Sequence, residues 1–283
     1  MAARAACLLL LAGLAGGCGS SGGSAITVPS VASAHVYTLG SFTPSGPVKA
    51  GTPVTVSFDI RQPSGAPLTQ FATGPGPHTG VHLIIVRKDL SVIIHRHPPI
   101  AASGHLSESV TFPAPGPYLV LVDVYAKATG PVPFTNYQMR QMIQVTGGAY
   151  HAKPIGPVRD SATAGGWTFT MRHVPRLRVA QAALITVDVR NAAGRPARFS
   201  SWFGALAHAV FFHQGNLQYF HTHICAPHSA GCSGVGAISG NSTKPGVLNV
   251  GVLLPTPGTW RLFLQTRISG VIVTAPFTLK VAP

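Results

Sequence analysis

At 283 residues the chain has room for two ordinary domains, each large enough to bury most of its apolar surface. Its 20 Lys and Arg against 6 Asp and Glu give a net charge of +14, but the basic residues are dispersed, which disfavours a nucleic-acid groove and suits a surface lying near an anionic membrane. The six acids, Asp59, Asp89, Glu108, Asp123, Asp160 and Asp188, stand singly and leave a paired-carboxylate hydrolase little to work with.

In chain order, Arg4, the apolar run 5–15 and the small residues before Cys18 read as an export signal too short to span a bilayer. The stretch Leu14-Ala15-Gly16-Gly17-Cys18 resembles a bacterial lipoprotein signal, although Ala15 stands where leucine is favoured. That resemblance implies a signal peptide over 1–17, lipid on Cys18, and an anchored protein on the outer face of the cytoplasmic membrane or in the periplasm; ordinary secretion is the alternative. Residues 18–34, rich in Gly and Ser, read as a flexible stalk. With Cys7 in the signal and Cys18 lipidated, Cys225 and Cys232 remain, and an oxidising compartment favours a disulfide between them over a reduced pair of metal ligands.

Beyond the stalk the sequence repeats itself. Asp59-Ile60-Arg61 with Gly65-Ala66-Pro67 matches Asp188-Val189-Arg190 with Gly194-Arg195-Pro196, and Pro115-Gly116-Pro117-Tyr118 matches Pro257-Gly258-Thr259-Trp260. Strand-like runs fall at 54–58, 81–86, 92–94, 118–124, 185–189, 209–212, 248–253 and 277–281, with no convincing helical period. The pattern predicts an all-β protein of two tandem immunoglobulin-like or cupredoxin-like β-sandwich domains, 35–147 and 158–283, joined by a linker over 148–157.

Between these matches lies the third, His82, His95 and His97 against His208, His221 and His223, with the same spacing. A hairpin turning at Lys88-Asp89 sets His82 opposite His95, and one turning at Gln214-Gly215 sets His208 opposite His221. Residues at i and i+2 share a strand face, so His97 and His223 join their trios. Three imidazoles so placed can converge on an ion at about 2.0 to 2.1 Å. Each domain is therefore expected to carry its own three-histidine site, with His78 and Cys225 as further candidates. Imidazoles without carboxylates favour copper, with zinc as the alternative, over calcium or magnesium; Met139, Met142 and Met171 offer soft thioethers. The blander alternative is that the histidines pack and hydrogen-bond within the sandwiches.

The runs Gly51-Thr52-Pro53-Val54-Thr55-Val56-Ser57-Phe58, His82-Leu83-Ile84-Ile85-Val86-Arg87-Lys88-Asp89-Leu90, His95-Arg96-His97-Pro98 and Pro115-Gly116-Pro117-Tyr118 resemble secreted bacterial proteins of the YtkA-like type. The resemblance implies immunoglobulin-like extracytoplasmic domains associated with copper or heavy-metal handling. It is tighter in the first copy, since the second lacks the proline after its His-x-His and inserts the loop from Cys225 to Cys232. The leading expectation is a lipoprotein that sequesters or delivers copper, with a metal ion and the membrane as partners, no nucleic acid, and any protein partner undetermined. A metal-free structural or interaction lipoprotein is the second reading, and a superoxide-dismutase-like copper enzyme the third. Catalysis is disfavoured because no aspartate accompanies either trio in sequence and no nucleophile–base pair is evident.

Overall fold

Alternation of apolar and polar residues shapes the first sandwich: along Pro53–Arg61, Val56, Phe58 and Ile60 are buried while the residues between them are not. A computed structural model of the chain describes residues 37–72, 80–127, 134–172, 174–227 and 238–283. The segments expected as signal peptide and stalk, with Cys18, and also His78 and Cys232, lie outside the described residues.

The first half contains β1 (Thr38–Thr43), β2 (Val48–Lys49), β3 (Pro53–Arg61), β4 (Val81–Arg87), β5 (Ile93–Arg96), β6 (Leu106–Thr111), β7 (Gly116–Lys127) and β8 (Phe134–Thr146). They form two sheets, ordered β1-β3-β6 and β2-β8-β7-β4-β5, around a core that includes Phe58, Leu83, Ile85, Phe112 and Tyr118. The second half contains β9 (Ser161–Ala164), β10 (Trp167–Arg172), β11 (Ala183–Asn191), β12 (Phe199–Ser200), β13 (Ala207–His213), β14 (Tyr219–Cys225), β15 (Gly240–Asn241), β16 (Val247–Val252), β17 (Gly258–Ile268) and β18 (Val271–Val281). Here β15 pairs with both β14 and β16, so the strands run as one continuous path, β12-β17-β13-β14-β15-β16-β11-β10-β9, with β18 on β17. Phe169, Phe211, Trp260 and Phe277 belong to its separate core. No helix is present among the described residues.

The repeat is visible in bonding as well as in sequence. The Arg61 guanidinium donates to the Gly65 carbonyl and the Arg190 guanidinium to that of Gly194. Before β7 the Tyr118 hydroxyl donates to the Ala114 carbonyl, and before β17 the Trp260 indole donates to the Thr256 carbonyl. Gly116 and Gly258 open these strands at φ of 128° and 126°, a region that side chains avoid.

Two sequence expectations about the hairpins need correction. Ile84, not His82, lies opposite His95, and His208 lies opposite His223 while Val210 faces His221. Both turns are longer than a two-residue link. The first closes with the Arg87 N–H donating to the Val92 carbonyl at 3.0 Å and the Leu90 N–H to the Arg87 carbonyl at 2.8 Å, while the Asp89 carboxylate caps the Ser91 N–H and hydroxyl. The second closes with the His213 N–H donating to the Gln218 carbonyl and the Leu217 N–H to that of His213. Each register is slipped by two residues, and because the side-chain period is two, an even slip leaves every histidine on its expected face.

That face points away from each half's own core. Along β4, Val81, Leu83 and Ile85 enter the first core, while Ile84 and Val86 pack with Leu119, Leu121, Val210, Phe212, Tyr219 and Phe263 in a third apolar layer between the halves. All seven residues of β4 are buried, as a strand covered on both faces must be. Val36–Pro283 accordingly forms one compact unit. The segment expected as a linker crosses this junction bound to both sides: the Lys153 N–H donates to Asp89, Ile155 packs on the third layer, and the Gly156 carbonyl accepts from Thr278.

Candidate metal centre

On the shared face the histidines sit just beyond the apolar layer. His82 precedes Ile84 and Val86 on β4, His208 precedes Val210 and Phe212 on β13, and His95, His97, His221 and His223 arrive on or just after the partner strands β5 and β14. Since the two faces pack together, the trios do not form the two separate sites expected from sequence. They merge into one six-histidine cluster. Ring centroids of His82 lie 4.4 Å from His97 and 4.9 Å from His221, and those of His95 lie 4.9 Å from His208 and 5.2 Å from His221. His82, His95, His208 and His223 are buried, and His97 and His221 are half-buried.

Three groupings place one ligand nitrogen from each of three residues within 4.8 Å of one another among the described residues: His82 with His95 and His97, His82 with His221 and His223, and His95 with His208 and His221. The first is the expected first trio; the expected second trio, His208 with His221 and His223, is not among them. Two nitrogens on one tetrahedral ion at about 2.0 to 2.1 Å lie roughly 3.3 Å apart. His95 Nε2 and His97 Nε2 are 3.1 Å apart, and His208 Nδ1 and His221 Nε2 are 3.3 Å apart.

Outer contacts set which nitrogen faces inward. The Gln265 side-chain oxygen can only accept, so at 3.1 Å His95 Nδ1 carries the proton and Nε2 presents its lone pair to the cluster. The Trp202 carbonyl, 2.9 Å from His208 Nε2, likewise leaves the Nδ1 lone pair of His208 facing His221. Burial, and then the neighbouring rings, hold His95 and His221 well below the ordinary imidazole value, which keeps them in the neutral form that binds metal.

Sequence reasoning missed Asp123, Gln265, Trp202 and Phe203. Asp123 lies opposite His82 on β7, with Oδ2 3.7 Å from His82 Nδ1, and accepts hydrogen bonds from Asn136 and from the Tyr219 hydroxyl of the other half. Burial lifts its carboxyl to about 6. Gln265 occupies the matching place opposite His208 on β17. The signal existed, because aligning Tyr118 with Trp260 puts Asp123 on Gln265. Phe203, in a turn closed by mutual Trp202 and Ala205 backbone bonds, stacks on His97 at 3.9 Å between centroids. The other sequence candidates lie elsewhere. Met139 belongs to the first core and Met171 to the second, while Met142 is exposed. Cys225 is buried on β14 but joins no three-residue grouping among the described residues.

A family described as a domain of unknown function, DUF8832, matches residues 162–283. No curated protein matches the chain. Among solved structures, the fibronectin(III)-like modules of Clostridium thermocellum CbhA are 11% identical, with 87% of this chain and 93% of that one covered and a TM-score of 0.22. Invasin, a bacterial integrin-binding protein, is 15% identical with a TM-score of 0.22, and 86% of this chain covers 38% of its length. A putative membrane-anchored protein from Corynebacterium diphtheriae is 9% identical, with 88% and 59% covered and a TM-score of 0.24.

Proposed function

We propose that this protein binds a metal ion outside the cytoplasm, copper in preference to zinc, and sequesters or hands it over through one composite site between its two halves. The observation that carries this reading is the convergence of six histidines from both halves into three overlapping groupings of three nitrogens, each within 4.8 Å of one another. Four of those rings are buried, so an ion held among them is shielded from water. Neutral imidazoles suit copper or zinc, and the hydrogen bonds that His95 and His208 make to Gln265 and to the Trp202 carbonyl orient these two rings as hydrogen-bonded partners of metal-bound histidines do. Lipid on Cys18 anchors the chain at the envelope, and a Cys225–Cys232 disulfide closes the loop after β14. The test is metal content after purification from copper-supplemented medium, followed by titration of the stripped protein. Failure to bind copper or zinc at micromolar concentrations, with a melting temperature indifferent to metal and chelator, would leave a metal-free interaction lipoprotein.

One observation favours a second reading. Asp123 beside His82 supplies the aspartate that the sequence did not place near a trio, which is the missing element of a superoxide-dismutase-like copper centre. Superoxide consumption by the copper-loaded protein would establish it; a copper-loaded protein that leaves superoxide untouched returns the site to binding and delivery.

A further inference from the structure

Resting on the metal reading of the cluster, we propose that the six histidines act as one exchange site, in which three overlapping three-histidine seats hold a single ion at a time and let it pass between the halves. The three groupings are not independent. The seat of His82, His95 and His97 shares His82 with that of His82, His221 and His223, and His95 with that of His95, His208 and His221; the last two share His221. His97, His223 and His208 each belong to one seat only.

Two seats can be complete at once only if a shared histidine binds an ion through each ring nitrogen. His95 is barred from this by its Nδ1–H, given to Gln265. His82 or His221 would have to lose its remaining ring proton. A second ion would also add positive charge among neutral rings, where Asp123 is the carboxylate that a cluster histidine meets among the described residues. One ion satisfies the donors and the charge; two do not.

The sharing also defines a path. Any move between seats keeps one histidine in common, so the ion exchanges two imidazoles for two others without being released to water. The first seat belongs wholly to the first half and includes half-buried His97 under Phe203. The other two draw on both halves and end at buried His208 and His223.

The overlap makes a sharp demand on double substitutions. His82→Ala with His95→Ala breaks all three seats, whereas His208→Ala with His223→Ala removes the same number of equally buried rings and leaves His82, His95 and His97 intact. The full chain would be titrated with cuprous ion against a chromophoric cuprous chelator, with melting curves of the metal-free proteins reporting the fold. The unsubstituted chain should take up about one equivalent, the second double variant should keep it, and the first should lose it. His95→Ala with His221→Ala against His97→Ala with His208→Ala repeats the contrast should the first pair not fold. Two equivalents in the unsubstituted chain, or doubles of both kinds behaving alike, overturns the single exchange site while metal binding stands. An unsubstituted chain that binds none refutes the metal reading and this inference with it.

Discussion

Acidifying the metal-free protein should weaken its fold from about pH 6.5 downward. His95 and His221 are held well below 6.5 by burial and by their neighbouring rings, so in this range the unfolded chain takes up two protons that the folded chain refuses. The unfolded state then binds more protons, and stability falls as pH falls. Asp123 acts in the opposite sense. Its carboxyl is lifted from 3.8 to about 6, so between those values the folded state keeps a proton that the unfolded state releases. One proton of difference is worth about 1.4 kcal/mol per pH unit. At pH 6.5 each unfolded imidazole is half protonated, so the two histidines give about 1.4 kcal/mol per unit there and by themselves approach about 2.7 kcal/mol per unit a pH unit lower, while Asp123 holds the net slope to about 1.4 kcal/mol per unit toward pH 5 for as long as both rings stay neutral. Denaturant unfolding in the presence of a chelator, at closely spaced pH values down to about 5, reads the slope directly. Asp123→Asn removes the opposing group and should steepen the lower limb to about 2.7 kcal/mol per unit. A stability that is flat or rises from pH 6.5 to 5, or a lower limb that Asp123→Asn leaves unchanged, would refute an enclosed neutral cluster.

The outer bond to His95 is testable alone: Gln265→Leu should weaken metal affinity by about 10- to 100-fold, as loss of a ligand-orienting partner does elsewhere, and unchanged affinity in a competition titration would remove Gln265 from the site. Cys18→Ala should move the protein from membrane fractions to the soluble fraction; continued membrane attachment would end the lipoprotein proposal. Thiol titration of the folded, unreduced protein should find Cys225 and Cys232 unreactive, and two titratable thiols protected by added copper would instead make Cys225 a ligand.

Much of the fold was legible because its signals are local. The period-two alternation of Val56, Phe58 and Ile60 marks a strand with one face in a core, and the repeated Arg-to-Gly turns needed only the matching of two short motifs. Hairpin register was less legible. Asp89 and Asn216 cap their own turns by accepting from Ser91 and Gln218, and such side-chain caps support loops longer than the two-residue turns that Lys88-Asp89 and Gln214-Gly215 suggested. The error did no damage to the choice of ligands, since a two-residue slip preserves faces.

What the two-site expectation lacked was a partner for the face bearing the histidines. Treating that face as the local site of one domain left Ile84, Val86, Val210 and Phe212 without a reason to be apolar, although a strand with one face in water alternates. The run from Val81 to Val86, apolar at every place but His82, marks burial on both sides. Where both halves of a chain with matching motifs bury the same face, the simplest packing sets one against the other, as at an isologous contact. The third layer has this character: Ile84 and Val210, Val86 and Phe212, and Leu121 and Phe263 hold matching places in the repeat. A histidine motif on such a face meets its duplicate. One shared cluster follows from the same apolar residues that close the halves together, and metal binding and the packing of the two halves become properties of a single surface.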